Sequence, residues 1–280
     1  MAWKNYQIIP VLGIVTILLS CGNKTAPGAV SYLLPEGSEC VELLNADSLS
    51  APMTYLFREL YGGHPALVAF NHLTVLDDTL STPIRMPYEF DVVDIHWVNG
   101  DCFFSSDTTV YYGENNGKAY PLVVSNKWID SFDVSDSRIL LPADSLILEY
   151  RFGSEKLSCL TNAHQVISHV EDAESSIFYS AGCDLYLLHD STVYHLVTVD
   201  EEITSFVVHP DGGVFLGTNG GLTYVTPDYV MVDIVPKPVH TLSLIGDNLY
   251  VIFEDNGSVM LTNVSNYDSL LSTANTDVNQ

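Results

Sequence analysis

A pair of apolar residues three positions apart returns six times along the 280-residue chain: Met53 and Leu56, Val92 and Ile95, Ile129 and Phe132, Ile167 and Val170, Ile203 and Phe206, Val239 and Leu242. Successive pairs lie 39, 37, 38, 36 and 36 residues apart. A two-layer domain has no reason to be so regular, whereas four short strands of a propeller blade take up roughly 40 to 45 residues. The spacing predicts an all-β fold, a six-bladed β-propeller spanning residues 31–272, with 273–280 as a C-terminal tail.

Turn residues divide each unit into strands. In the fifth, Ile203 to His209 is followed by Pro210-Asp211-Gly212-Gly213, then Val214 to Thr218, the turn Asn219-Gly220-Gly221, Leu222 to Thr226, the opener Pro227-Asp228, and Tyr229 to Val235. The sixth unit shows three such runs, Val239 to Ile245, Leu249 to Glu254 and Ser258 to Thr262. A further period from Val239 would fall at residue 276, too near the end for a seventh unit. The strand-like run Glu39 to Asn45 therefore supplies the missing fourth strand and closes the ring, so that no open array of sheet edges is left. The 16 tyrosines and 11 phenylalanines suit strands packed on both faces.

The first 20 residues obey a different logic. Lys4 is the only charge, and Ile8 to Ser20 is an apolar stretch of 13 residues, short of the roughly 20 that a spanning helix needs. Leu18-Leu19-Ser20-Cys21 resembles a bacterial lipobox. The resemblance implies that residues 1–20 are a signal peptide, that Cys21 is lipidated, and that residues 21–30, rich in Gly, Pro and small polar side chains, form a flexible tether. Acyl chains contribute about 0.8 kcal/mol per buried methylene, enough for stable anchoring when two or more are attached. Gly22 after the cysteine, with no acidic cluster behind it, implies the outer membrane facing the periplasm.

Without Lys4 the chain carries nine basic residues against 35 acidic ones, a net charge of −26. Such a surface repels phosphate backbones, which excludes nucleic acid as a partner. It also keeps a strand-rich domain soluble. Cys40, Cys102, Cys159 and Cys183 fall in different units with no C-x-x-C spacing, so zinc and thioredoxin-type chemistry are unsupported. Disulfides in an oxidising envelope and buried free thiols remain equally open.

The segment His209 to Tyr224 is similar to the blade motif of two-component-regulator, or sensor-type, propellers: Asp211, Gly213, Phe215, Gly217, Thr218, Gly221 and Leu222 occupy the matching places, with Phe215 where that family usually has Trp. The other five units lack the Gly-Thr signature and no kinase or DNA-binding segment follows, so the resemblance speaks to fold. More generally, the chain resembles small propeller lipoproteins of Gram-negative envelopes. The triplets at Asp47, Asp78, Asp107, Asp144, Asp190 and Asp268, each Asp followed by Ser or Thr, look like an O-glycosylation sequon of one Gram-negative phylum. Asp and Ser are equally the residues that turns prefer.

Propellers place ligands over the central channel. The residue before each second anchor is Tyr55, Asp94, Ser131, His169, Ser205 or Thr241, all six polar, and these are the candidate lining residues. A channel lined with small polar groups satisfied by water is the plainer account of the same pattern. No H-E-x-x-H, P-loop, G-x-S-x-G or EF-hand loop is present, His209 is read as exposed in its Pro-Asp-Gly turn, and neither a cofactor nor a metal is expected. The reading is a membrane-anchored, non-enzymatic module binding a small ligand or an envelope protein. The alternatives are a glycan hydrolase or lyase with Asp94 and His169 as acid and base, and a structural subunit of an outer-membrane complex.

Overall fold

In the computed structural model, residues 92–253 are described with their side chains, apart from 115, 116, 155, 174 and 247, and the strands within 39–85 and 254–265 are described as backbone. β1 (Glu39–Asn45) comes first in the chain. The next four strands, β2 (Leu56–Glu59), β3 (Pro65–Ala69), β4 (His72–Val75) and β5 (Ile84–Arg85), form one sheet in chain order. The same meander recurs in β6 (Asp94–Val98), β7 (Asp101–Ser106), β8 (Thr109–Gly113) and β9 (Ala119–Val124). It recurs again in β10 (Asp133–Val134), β11 (Arg138–Ala143), β12 (Leu146–Arg151) and β13 (Leu157–Asn162), and in β14 (His169–Ala173), β15 (Ser176–Ala181), β16 (Asp184–His189) and β17 (Thr192–Thr198). β18 (Ile203–Val208), β19 (Val214–Thr218), β20 (Leu222–Val225) and β21 (Met231–Val235) make a further sheet. The last contains β22 (Val239–Ile245), β23 (Asn248–Asp255) and β24 (Ser258–Ser265), with β1 antiparallel to β24 and Glu39 opposite Asn263.

Every sheet is antiparallel, and the first strand of each lies beside the first strand of the next: β2 by β6, then β10, β14, β18 and β22, with β22 again beside β2. Sheets packed face to face about an axis in this way make an all-β propeller.

Alternation along the strands explains the packing. On β7, Phe103 faces the β10–β13 sheet, where it joins Ile139 and Leu141, and Phe104 turns the other way toward Ile95 and Cys102. On β15, Ile177 and Tyr179 face one neighbour with Leu140, while Phe178 faces the other with Val214 and Leu216. The paired anchors belong to these layers. Ile129 and Phe132 pack on the β6–β9 sheet, Ile167 and Val170 on the β10–β13 sheet, Ile203 and Phe206 on the β14–β17 sheet, and Val239 and Leu242 on the β18–β21 sheet. Each pair therefore binds its own sheet to the one before. Burial of one such side chain contributes about 1.5 to 3 kcal/mol.

Hydrogen bonds follow the same rule. The N–H of the first anchor donates to a turn of the preceding sheet, Ile129 to the Asp107 carbonyl (2.8 Å), Ile167 to Asp144 (2.7 Å) and Ile203 to Gly182 (3.0 Å). Those acceptors sit in two-residue turns at φ of 51°, 54° and 61°. Asp107-Thr108 and Asp144-Ser145 are thus turn residues, as are Asp190 and Ser191 between β16 and β17 (φ 47° and 62°), whereas Asp47, Asp78 and Asp268 lie outside the described residues.

The Asp-x-x-Gly motif of the fifth unit is built by close approach. Asp211 Oδ1 accepts from Gly213 N at 2.9 Å and from the Tyr224 hydroxyl at 3.3 Å, and a Cβ on Gly213 would lie 2.0 Å from that hydroxyl. A Cβ on Gly217 would meet Val239 Cγ1 at 2.6 Å, so the glycine of Gly-Thr lets the next sheet's anchor settle onto β19. Two expectations need correction. His209 is buried rather than exposed, edge-on to Phe215, with its Nδ1 accepting from Asp211 N at 3.2 Å. Tyr229 and Val230 belong to a turn, because Thr226 N bonds to the Val230 carbonyl (2.9 Å) and Tyr229 sits at φ 64°, so β21 begins only at Met231. Of the alternatives left open for the cysteines, Cys159 is an exposed free thiol and Cys183 a partly buried one, while Cys102 is buried.

Candidate functional site

The first strands of five successive sheets enclose a cavity of about 600 Å³ on the axis. Asp94, Ser131, His169, Ser205 and Thr241 all line it. Tyr55 and Cys21 lie outside the residues whose side chains are described. Strand alternation puts i−1 and i+1 of each second anchor on one face, and the second tier is indeed there: His96, Asp133, Glu171, Val207 and Ser243 line the same cavity. The second tier is legible in the sequence as well, since residues two apart on a strand point the same way.

Most of these polar groups serve the architecture. Asp94, 2 % exposed, accepts from Phe132 N at 3.1 Å through Oδ2 and from Ile95 N at 2.9 Å through Oδ1. Asp133 Oδ2 accepts from Asp172 N at 2.6 Å, the Glu171 carboxylate from Val208 N at 3.0 Å, and Ser205 Oγ from Leu242 N at 3.3 Å. Partners in these four stitches stand 38, 39, 37 and 37 residues apart, the period of the sequence itself. An inner strand flanked by another inner strand has amides that no ladder satisfies, and a buried N–H without an acceptor costs about 1 to 3 kcal/mol. An acceptor side chain from the preceding sheet meets that need at each junction from β6 to β22.

Two charged groupings stand out. His96 lies between two carboxylates, Nε2 at 3.4 Å from Asp94 Oδ2 and Nδ1 at 3.7 Å from Asp133 Oδ1, with its ring edge-on to Phe132. Burial pushes the Asp133 carboxyl above the ordinary carboxylate range, and neighbouring His96 and the N–H groups of Asp172 and Val134 pull against it. Behind the cavity, Arg138 grips Asp172 with Nε at 2.8 Å and Nη2 at 2.6 Å and reaches Glu149 Oε1 with Nη1 at 3.0 Å. Arg151 Nε completes the chain at 2.8 Å from Glu149 Oε2. The hydrogen bond to Asp172, ahead of that to Glu149, holds the Arg138 guanidinium more firmly protonated than usual. Burial alone would raise the Glu149 carboxyl, but the two arginines outweigh it and leave it lowered.

The cavity wall is thus acidic and imidazole-bearing, with Asp94, Asp130, Asp133, Glu171 and Asp172 beside His96, His169 and His240, and among the described residues no Lys or Arg lines it. It disfavours anions. As for the pairing of Asp94 with His169 as acid and base, Asp94 is taken up by backbone amides and its imidazole neighbour is His96, while His169 packs against Phe206 with ring centroids 6.5 Å apart. Among the described residues no group of three His, Cys, Asp or Glu side chains is arranged to hold a metal ion.

No protein-family model and no curated protein matches the sequence. Solved structures do share the fold. A gluconolactonase of Xanthomonas campestris superimposes over 85 % of this chain and 93 % of its own at a TM-score of 0.64 and 10 % identity. The WD40 β-propeller domain of Doa1 does so over 76 % and 94 % at 0.57 and 11 %. The extracellular domain of a B. thetaiotaomicron protein described as a one-component system matches over 77 % of this chain and 38 % of its own, at 0.52 and 9 %. At such identities the likeness carries the β-propeller architecture and stops there.

Proposed function

We propose that the chain is a binding module of the bacterial envelope: a closed six-bladed propeller, tethered to the outer membrane through an acylated Cys21, whose axial cavity takes a small neutral or cationic polar ligand. The observation that carries this reading is the cavity of about 600 Å³ into which five consecutive inner strands each send polar side chains, with no Lys or Arg among the described residues that line it. The count of six is supported by six four-stranded sheets and by the return of β22 to β2, and the closure by β1 on β24. Binding rather than catalysis fits carboxylates already engaged as acceptors for backbone amides.

Native mass spectrometry of the protein purified from solubilised membranes tests it. Cavity-filling Ser131→Phe and Thr241→Phe, checked for fold by circular dichroism, are expected to abolish a co-purifying ligand. Retention of that ligand by both folded variants would overturn the reading. Cys21→Ala is expected to lose incorporation of a labelled fatty acid and to leave the membrane fraction.

One observation favours an envelope hydrolase as a second reading: His96 between Asp94 and Asp133 beside the cavity, on a fold shared with a gluconolactonase. Hydrolysis of a lactone or glycan by the protein, lost in His96→Gln, would decide for it.

A further inference from the structure

Away from the axis, the junction of the β6–β9 and β10–β13 sheets opens into a second cavity, of about 260 Å³, on the face that bears the β6–β7 and β10–β11 turns. Phe103, 7 % exposed, is its floor; Tyr112 and Phe152, half-buried, are its walls. Phe103 meets Tyr112 edge-on at 5.7 Å between centroids and Phe152 in a tilted contact at 5.6 Å, so the three rings form one continuous aromatic surface.

Two carboxylates stand at the rim. Asp101 Oδ1 accepts from the Tyr112 hydroxyl at 2.9 Å, and Asp136 Oδ1 accepts from Asn99 Nδ2 at 2.7 Å. The positions are fixed by local rules: Asn99-Gly100, both at positive φ (52° and 87°), make the tight turn that sets Asp101 opposite Val98 and sends Asn99 across to the next sheet. Both carboxylates are hydrogen-bonded to neutral donors, and neither meets a Lys or Arg among the described residues. The contrast with Glu149 of the β10–β13 sheet is direct, since that carboxylate is matched by both Arg138 and Arg151.

We infer that this aromatic cavity is a binding site for a small organic ammonium ion, whose charge lies on the ring faces and between Asp101 and Asp136. Ring quadrupoles attract a weakly hydrated alkylated ammonium, more strongly as water is excluded. A hydrated divalent metal would instead demand several oxygen ligands, which aromatic walls do not offer. The volume, below the roughly 300 Å³ at which drug-sized pockets begin, fits one headgroup. The site is independent of the axial cavity and of what that cavity holds.

Choline and its uncharged isostere 3,3-dimethylbutan-1-ol are the probes, titrated into the full chain and followed by calorimetry and by the aromatic proton resonances of Phe103, Tyr112 and Phe152. Saturable binding of choline, at least about tenfold tighter than the alcohol and weakened by salt, is expected. Asp101→Asn with Asp136→Asn keeps both hydrogen-bond acceptors, so the fold is retained while affinity falls about tenfold; Phe152→Leu acts in the same direction. Equal binding of the alcohol overturns the inference, as does the lack of any saturable binding. So does a loss of choline binding in Asp133→Asn with none in the Asp101 and Asp136 pair, which would put the cation on the axis.

Discussion

The three junctions between β6 and β18 and the one between β18 and β22 solve the same problem with different chemistry. On the first side the amide of the incoming inner strand meets a carboxylate, Asp94, Asp133 or Glu171, and Arg138 adds a buried ion chain. On the other it meets the Ser205 hydroxyl, Thr204 Oγ1 donates to the Val239 carbonyl at 2.7 Å, and Gly217 lets the sheets close up. Geometry requires an acceptor at a set place and is indifferent to its charge. Charge then decides how the cavity wall is polarised and how much each junction depends on its neighbours.

The comparison breaks most visibly at Arg138. Replacing it with Ala leaves Asp172, 6 % exposed, without its cation and Glu149, 3 % exposed, with Arg151 alone. The expected cost is about 3 to 5 kcal/mol, a fall in Tm of about 10 °C in thermal unfolding. A change of less than about 2 °C would mean that solvent already screens the chain. Asp94→Ala strips the acceptor from two buried amides and is expected to cost about 2 to 3 kcal/mol by chemical denaturation. Gly217→Ala forces Val239 to move and is expected to cost about 1 to 3 kcal/mol, measured in the same way. Ser205→Ala, on the hydroxyl side, removes one weak acceptor for about 1 kcal/mol. If Ser205→Ala matched Asp94→Ala, the distinction between the two sides would lose its energetic meaning.

The smallest effect is one of sign. Because the Asp133 carboxyl is raised by burial, the native state keeps its proton at pH values where the unfolded chain has lost it. Its contribution to stability therefore falls as pH rises from the ordinary carboxylate range to the raised native value, and is level above that. Glu149 and Asp184, both lowered, behave oppositely: their contribution is present above the unfolded value and is lost as pH falls through the native one. Tm measured across the acidic limb should thus show Asp133→Asn gaining on the parent as pH rises through the Asp133 window, and Glu149→Gln losing its deficit as pH falls.

Much of this molecule was legible in residue order. Val214–Thr218 and Val239–Ile245 coincide with runs bounded by turn residues, and so does Glu39–Asn45, because Gly, Asn, Asp and Pro mark turns by backbone preference alone. The axial position of Asp94, Ser131, His169, Ser205 and Thr241 followed from their constant offset to the anchors. The burial of His209 is not legible locally, because a Pro-Asp-Gly sequence marks a turn but not what covers it, here the ring of Phe215. The aromatic cavity left no local trace: Phe103, Tyr112 and Phe152 come from three strand regions and look, in sequence, like ordinary core.

Periodicity in the chain set the rhythm of the units and the face from which each inner strand would look onto the axis, because strand alternation and turn preference are properties of a few neighbouring residues. Which carboxylates are consumed by backbone amides, which are neutralised by Arg138 and Arg151, and which are left open over aromatic rings was decided only in three dimensions. Those choices depend on atoms brought within about 3 Å by the docking of one sheet on the next, and no local preference encodes that contact.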